Sequence, residues 1–179
     1  IARPQGTAFD IGACECTGGV PPATVDHIYD NESNAFSSSY KQDAWERYEE
    51  AGGEHYGDSH AYNHLLGTGE DVATWSFSVP EPGRYAVYAW WCGGDWRPAD
   101  VPYVVNGSTS SRTLCVNQQI NGGKWNLIGI FEFETGGSIA VKDDVTSGQD
   151  VVADAVGLTY VAPPSRMVPW KLYLSVIHH

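Results

Sequence analysis

Two runs divided by a proline-glycine turn constrain this chain more than any other stretch. In residues 72–79, VATWSFSV, the residues Ala73, Trp75, Phe77 and Val79 alternate with Val72, Thr74, Ser76 and Ser78. This is the period of a half-buried β-strand, because successive side chains leave a strand on opposite faces. Pro80-Glu81-Pro82-Gly83 then turns the chain, with proline presetting φ and glycine easing the exit. Residues 84–91, RYAVYAWW, resume the alternation with Tyr85, Val87, Ala89 and Trp91 on one face. Further runs follow as far as residue 161: VPYVVNG, SSRTLCVNQQ, WNLIGIFEF, SIAVKDD and VVADAVGLTYV. Asn106-Gly107 marks a hairpin between the first two of these. Strands recurring about every ten residues and joined by turns indicate an all-β fold, an antiparallel β-sandwich of jelly-roll type. The expected core includes Trp75, Phe77, Tyr85, Val87, Trp125, Leu127 and Val156.

The ends of the chain read differently. Residues 1–25 form an arm punctuated by Gly6, Gly12, Gly18, Gly19, Pro21 and Pro22, with little periodicity. The sandwich is assigned to residues 26–161, and residues 162–179 to a linker and a C-terminal extension strand. Pro163-Pro164 break regular structure, and Val168, Trp170, Leu172, Leu174 and Val176 then form an apolar set alternating with Lys171, Tyr173 and Ser175. An unpaired apolar strand is a template for another sheet, so it calls for a cover, either its own domain or another molecule. Inside the domain, KQDAWERYEEAGG at residues 41–53 fits a short helix stopped by Gly52-Gly53. A surface loop carrying one helical turn fits it as well.

Four cysteines, Cys14, Cys16, Cys92 and Cys115, occur in a chain with only 18% charged residues and 12% aromatics. That combination favours disulfides in an oxidising, extracellular compartment. A Cys14–Cys16 ring is strained, so the expected staples run from the arm to Cys92 and Cys115. The rival zinc reading lacks a second close cysteine pair, and no metal site is assigned. The net charge of −12, with ten scattered Lys and Arg, disfavours nucleic acid and anionic membranes as partners. No apolar run reaches the ~18 residues of a membrane-spanning helix.

Four motifs carry a resemblance. VPEPGRYAVYAWW, VPYVVNG, VNQQINGGKWNLIGIFEF and VVADAVGL, opened by IYDNESNAF, occur in the order that resembles the golvesin/xanthan-lyase carbohydrate-binding-like domain, over about residues 26–161. The resemblance implies a β-sandwich module attached to secreted enzymes and surface proteins. Within these motifs, Gly122-Gly123 permit a tight turn and Trp125 is placed in the core beyond it. Asp154, flanked by apolar residues, is expected to accept backbone hydrogen bonds at a sheet end.

The candidate sites are few. Trp96, in a Gly93-Gly94-Asp95 loop, offers an aromatic face for stacking on a sugar ring, with Tyr103 as a second candidate. Trp90 and Trp91 are adjacent in a strand, so one of them is core. His55, His60 and His64 read as exposed or hydrogen-bonded histidines rather than as metal ligands. Asp143-Asp144, Asp150 and Asp30-Asn31-Glu32 are possible oxygen donors to a structural calcium ion, although no spacing matches a defined calcium loop. Asn31-Glu32-Ser33 and Asn106-Gly107-Ser108 are sequons in expected turns, marking Asn31 and Asn106 for glycans. No nucleophile elbow or phosphate-cradling loop is present, so no catalytic residue is assigned.

Two functions compete on this reading. The leading one is a non-catalytic extracellular filament subunit, a homopolymer joined head-to-tail by donation of the Val168–Val176 strand. The alternative is a carbohydrate-binding module of a secreted polysaccharide-degrading protein.

Overall fold

The computed structural model describes residues 24–49, 53–64 and 67–165. The arm with Cys14 and Cys16, and the extension strand with Val168, Trp170, Leu172, Leu174 and Val176, lie outside them. The described residues contain strands and no helix. In chain order these are β1 (His27–Asp30), β2 (Phe36–Ser39), β3 (Glu46–Tyr48), β4 (His60–Asn63), β5 (Val72–Ser78) and β6 (Gly83–Trp90). They continue with β7 (Val101–Asn106), β8 (Ser111–Val116), β9 (Asn126–Phe133), β10 (Gly136–Lys142), β11 (Val151–Ala153) and β12 (Ala155–Ala162).

Two antiparallel sheets form the sandwich, in the orders β1-β12-β6-β9 and β2-β5-β10-β7-β8. The alternation legible in the sequence sets which side chains enter the space between them. Trp75 on β5, Tyr85 and Val87 on β6, Val156 and Leu158 on β12, and Phe133 on β9 are all fully buried. Burying an apolar side chain of this size contributes roughly 1.5–3 kcal/mol. Phe133 ties the layers, with its ring 5.3 Å from that of Phe77 and 6.0 Å from that of Tyr85.

Two expected core residues fall on the other side. Along β6 and β9, Val87 faces Gly129 but Tyr88 faces Leu127, so Ile128 is an extra residue in a bulge. A bulge shifts the in-out phase of a strand by one. Asn126 and Ile128 therefore turn inward, while Trp125 and Leu127 are half-buried on the outer face. There Trp125 packs over Gly157 and edge-on to Trp90, at 5.5 Å between centroids.

A third, small sheet with the order β11-β4-β3 sits at one end. It corrects the helix expected near residues 41–53: Glu46, Arg47 and Tyr48 pair with Tyr62, Ala61 and His60. Local helix propensity is a weak preference, and a cross-strand ladder outweighs it. Just before β3, the buried Asp71 carboxylate accepts the backbone N–H groups of Lys41, Gln42 and Asp43 at 2.5, 3.0 and 2.8 Å. β11 and β12 are separated by Asp154 alone, so the small sheet is continuous in chain with the sandwich.

Candidate functional site

β4 carries the strongest site signal. Its inward residues, Ala61 and Asn63, are buried, and the alternate residues His60 and Tyr62, with His64 beyond, line a cleft of about 470 Å³. Period-two placement puts three rings on one face: His60 and Tyr62 lie 6.0 Å apart, and Tyr62 and His64 4.7 Å. Tyr48 of β3 extends the row at 5.5 Å from His60, and His55 flanks it at 6.2 Å. The loop after β6 brings Cys92, Gly93, Trp96 and Arg97 to the same cleft, and Asp150 enters from the segment before β11.

Trp96 is 52% exposed, as its Gly-Gly-Asp loop led one to expect. Arg97, its neighbour in sequence, is almost completely buried and lies 5.8 Å from the Trp96 ring centroid. Its Nη1 donates to the Asp150 carbonyl at 2.9 Å and stands 3.7 Å from the Asp150 carboxylate. Asp150 also meets His64 Nδ1 at 2.7 Å. Glu54 accepts the Gly93 N–H at 3.1 Å on the opposite side of the loop. Burial, reinforced by Arg97 and His55, holds the His60 imidazole down at about 4, so it is neutral at ordinary pH. The Tyr62 hydroxyl donates to Glu46 at 2.7 Å, which pushes its pKa up to about 12. The cleft thus combines flat aromatic faces with fixed hydrogen-bond donors and acceptors, the composition of a small-molecule site.

Other sequence-assigned residues lie elsewhere. Tyr103 is 1% exposed, its hydroxyl taken by Gln118 at 3.3 Å, so its ring offers no stacking face. Strand alternation turned it toward the core, which the apolar-rich VPYVV run does not reveal by itself. Of the adjacent tryptophans, Trp91 is the core residue, and Trp90 donates to the Glu54 carbonyl at 2.7 Å on the outer face. Cys92 is buried 3.3 Å from His60 Nδ1, and Cys115 is half-buried on β8. The Asn31 amide is bonded to Ser59, and Asn106 to Ser138 at 3.0 Å and Ser111 at 2.6 Å, so a glycan on either displaces a side-chain hydrogen bond. Of the possible calcium donors, Asp143 accepts the Gly69 N–H at 2.8 Å, while Asp150 lines the cleft. Among the described residues, no three His, Cys, Asp or Glu side chains are grouped to hold a metal ion. Asp154 does what its apolar setting implied, accepting the Tyr56 N–H at 3.2 and 3.1 Å. Burial pushes its pKa up to about 9.

The sequence reading missed Tyr48, Tyr62, Arg97 and Asp150 as partners of Trp96. A signal for part of this was present in His60-Ala61-Tyr62-Asn63-His64, where rings alternate with small or amide side chains. Arg97 and Asp150 meet only through folding, 53 positions apart.

A model of the Golvesin C-terminal domain matches residues 27–160. A xanthan lyase of Bacillus sp. (strain GL1) is 32% identical over 105 residues, which are 56% of this chain and 11% of that protein. The structure of a Paenibacillus xanthan lyase superposes with a TM-score of 0.67 at 34% identity, covering 75% of this chain and 13% of that one. This chain therefore spans about a tenth of these relatives. A family 35 carbohydrate-binding module from Clostridium thermocellum superposes with a TM-score of 0.52 at 14% identity, covering 75% of this chain and 98% of the module. The sandwich fold is thus similar to that of a carbohydrate-binding module.

These matches overturn the reading as a filament or fibril subunit built by strand donation. They attach the fold to a carbohydrate-binding module and to xanthan lyases.

Proposed function

The chain belongs to the Golvesin C-terminal domain family, and on that premise we propose that it is a carbohydrate-binding module of a secreted polysaccharide-degrading protein. It acts outside the cell and assigns the chemistry to other parts of that protein. The observation that carries this reading is the exposed Trp96 face set over a cleft walled by Tyr48, Tyr62 and His60. Pyranose rings present apolar C–H faces that stack on such aromatics, while their hydroxyls need the donors and acceptors that Arg97, Asp150 and Glu54 supply. The xanthan-lyase likeness supports a glycan as ligand class, and the acidic chain is a poor match for nucleic acid.

Affinity electrophoresis through gels cast with soluble polysaccharides tests the proposal. The native chain is expected to be retarded by at least one of them, and Trp96→Ala to run unretarded with an unchanged melting temperature. Retardation by none, or equal retardation of the variant, overturns the assignment of this cleft.

A further inference from the structure

We infer that the cleft selects an uncharged sugar residue through its hydroxyls, with Asp150 the principal acceptor, and discriminates against sugars that carry a carboxylate. The inference rests on the carbohydrate-binding reading above and specifies its ligand class.

Asp150 is held in place more firmly than a loop residue requires. It takes a φ of 54°, a left-handed conformation uncommon for a residue with a Cβ, and such outliers persist where the surroundings over-determine them. Here the surroundings are the stacking loop itself. The Gln149 N–H donates to the Trp96 carbonyl at 2.7 Å, and Arg97 Nη1 to the Asp150 carbonyl at 2.9 Å. Gly148, at φ 97°, lies so close to Arg97 and Pro98 that an added Cβ would come within 2.6 Å of the Pro98 nitrogen. The stacking platform and the acceptor are thereby fixed to each other by backbone contacts, as a preorganised binding site demands.

Charge then sets the selectivity. Among the described lining residues other than histidine, one cation, Arg97, stands against two carboxylates, Asp150 and Glu54. Arg97 Nε is buried without a hydrogen-bond partner, and its guanidinium already faces the Asp150 carboxylate at 3.7 Å. The imidazole of His60 adds no charge, being held neutral by burial. A sugar carboxylate entering this cleft meets the like charges of Asp150 and Glu54, on a chain whose net charge is −12. A neutral sugar meets the Asp150 carboxylate, which retains acceptor capacity beside its 2.7 Å contact with His64 Nδ1, and a guanidinium that donates.

The test uses the full chain and one acidic polysaccharide in two forms, native and with its uronate carboxyls reduced to alcohols, in isothermal titration at low salt. The panel also includes neutral glucan, mannan and galactan oligosaccharides. The neutral and reduced forms are expected to bind at least tenfold more tightly than the uronate form, with the preference narrowing as salt rises. Asp150→Asn is expected to fold normally, because Asn tolerates a positive φ, and to shrink the preference several-fold. Equal or tighter binding of the uronate form overturns this inference while leaving the glycan-binding reading intact. Failure of every sugar to bind overturns both. A preference unchanged in a folded Asp150→Asn variant removes Asp150 from the role.

Discussion

The backbone of Gly122 lies against that of Gly93, so closely that a Cβ on Gly122 would come within 2.2 Å of the Gly93 nitrogen and 2.5 Å of Glu54 Oε2. This contact joins the turn before β9 to the loop that carries Trp96. The Gly123 N–H reinforces it by donating to the Trp91 carbonyl at 3.0 Å. Gly122→Ala is expected to force the two backbones apart, at a cost of about 1–3 kcal/mol, as overpacking does. Thermal unfolding should show the loss, and sugar binding should weaken with it because the Gly93 loop positions Trp96. A variant with native melting temperature and native affinity would count against this account of the turn.

Gln118 completes a strand edge with a side chain. Its Oε1 accepts the Val152 N–H at 2.9 Å and its Nε2 donates to the Val152 carbonyl at 2.7 Å, all in a buried setting. Gln118→Leu fits the volume but strips both partners from Val152. Unsatisfied buried groups cost ~1–3 kcal/mol each, so the expected loss is on the order of 3 kcal/mol. Calorimetry should show a melting temperature lower by roughly 10 °C. A shift within a degree or two means that other groups rescue the Val152 backbone.

Asp154 makes stability fall as pH rises. Its folded pKa of about 9 stands far above the ordinary value of 3.8, because burial disfavours the charged form. Between these pH values the native chain holds a proton that the unfolded chain has released, so the slope of stability against pH is negative. His60 works the other way, since its folded value of about 4 lies below the ordinary 6.5 and the unfolded state takes up the extra proton in that window. Above pH 6.5 the Asp154 effect stands alone of the two, at roughly 1 kcal/mol per pH unit. Asp154→Asn, the shape of the protonated acid, is expected to flatten the fall between pH 6.5 and 9. Denaturant titrations of both proteins across that range decide it, and parallel curves refute the assignment.

Period-two patterning was enough to determine the sandwich. Trp75, Phe77, Tyr85, Val87 and Val156 went where alternation placed them, because a strand has two faces and only one meets the core. Order and spacing of the motifs were enough to suggest the family, and the apolar flanks of Asp154 were enough to give its backbone-accepting role. Alternation fails wherever its phase breaks. The bulge at Ile128 sent Trp125 and Leu127 outward, and no residue type in WNLIGIFEF announces it. Pairing with β4 made a strand of residues 46–48, since Glu46 pairs with Tyr62 and Tyr48 with His60, and ladder partners so far along the chain are invisible to local propensity. The cleft belonged to tertiary structure most fully. Trp96 was recognisable by its loop, but its partners Tyr48, Tyr62 and Asp150 come from three other segments. A site of this kind is defined by distances in space, which chain order does not encode.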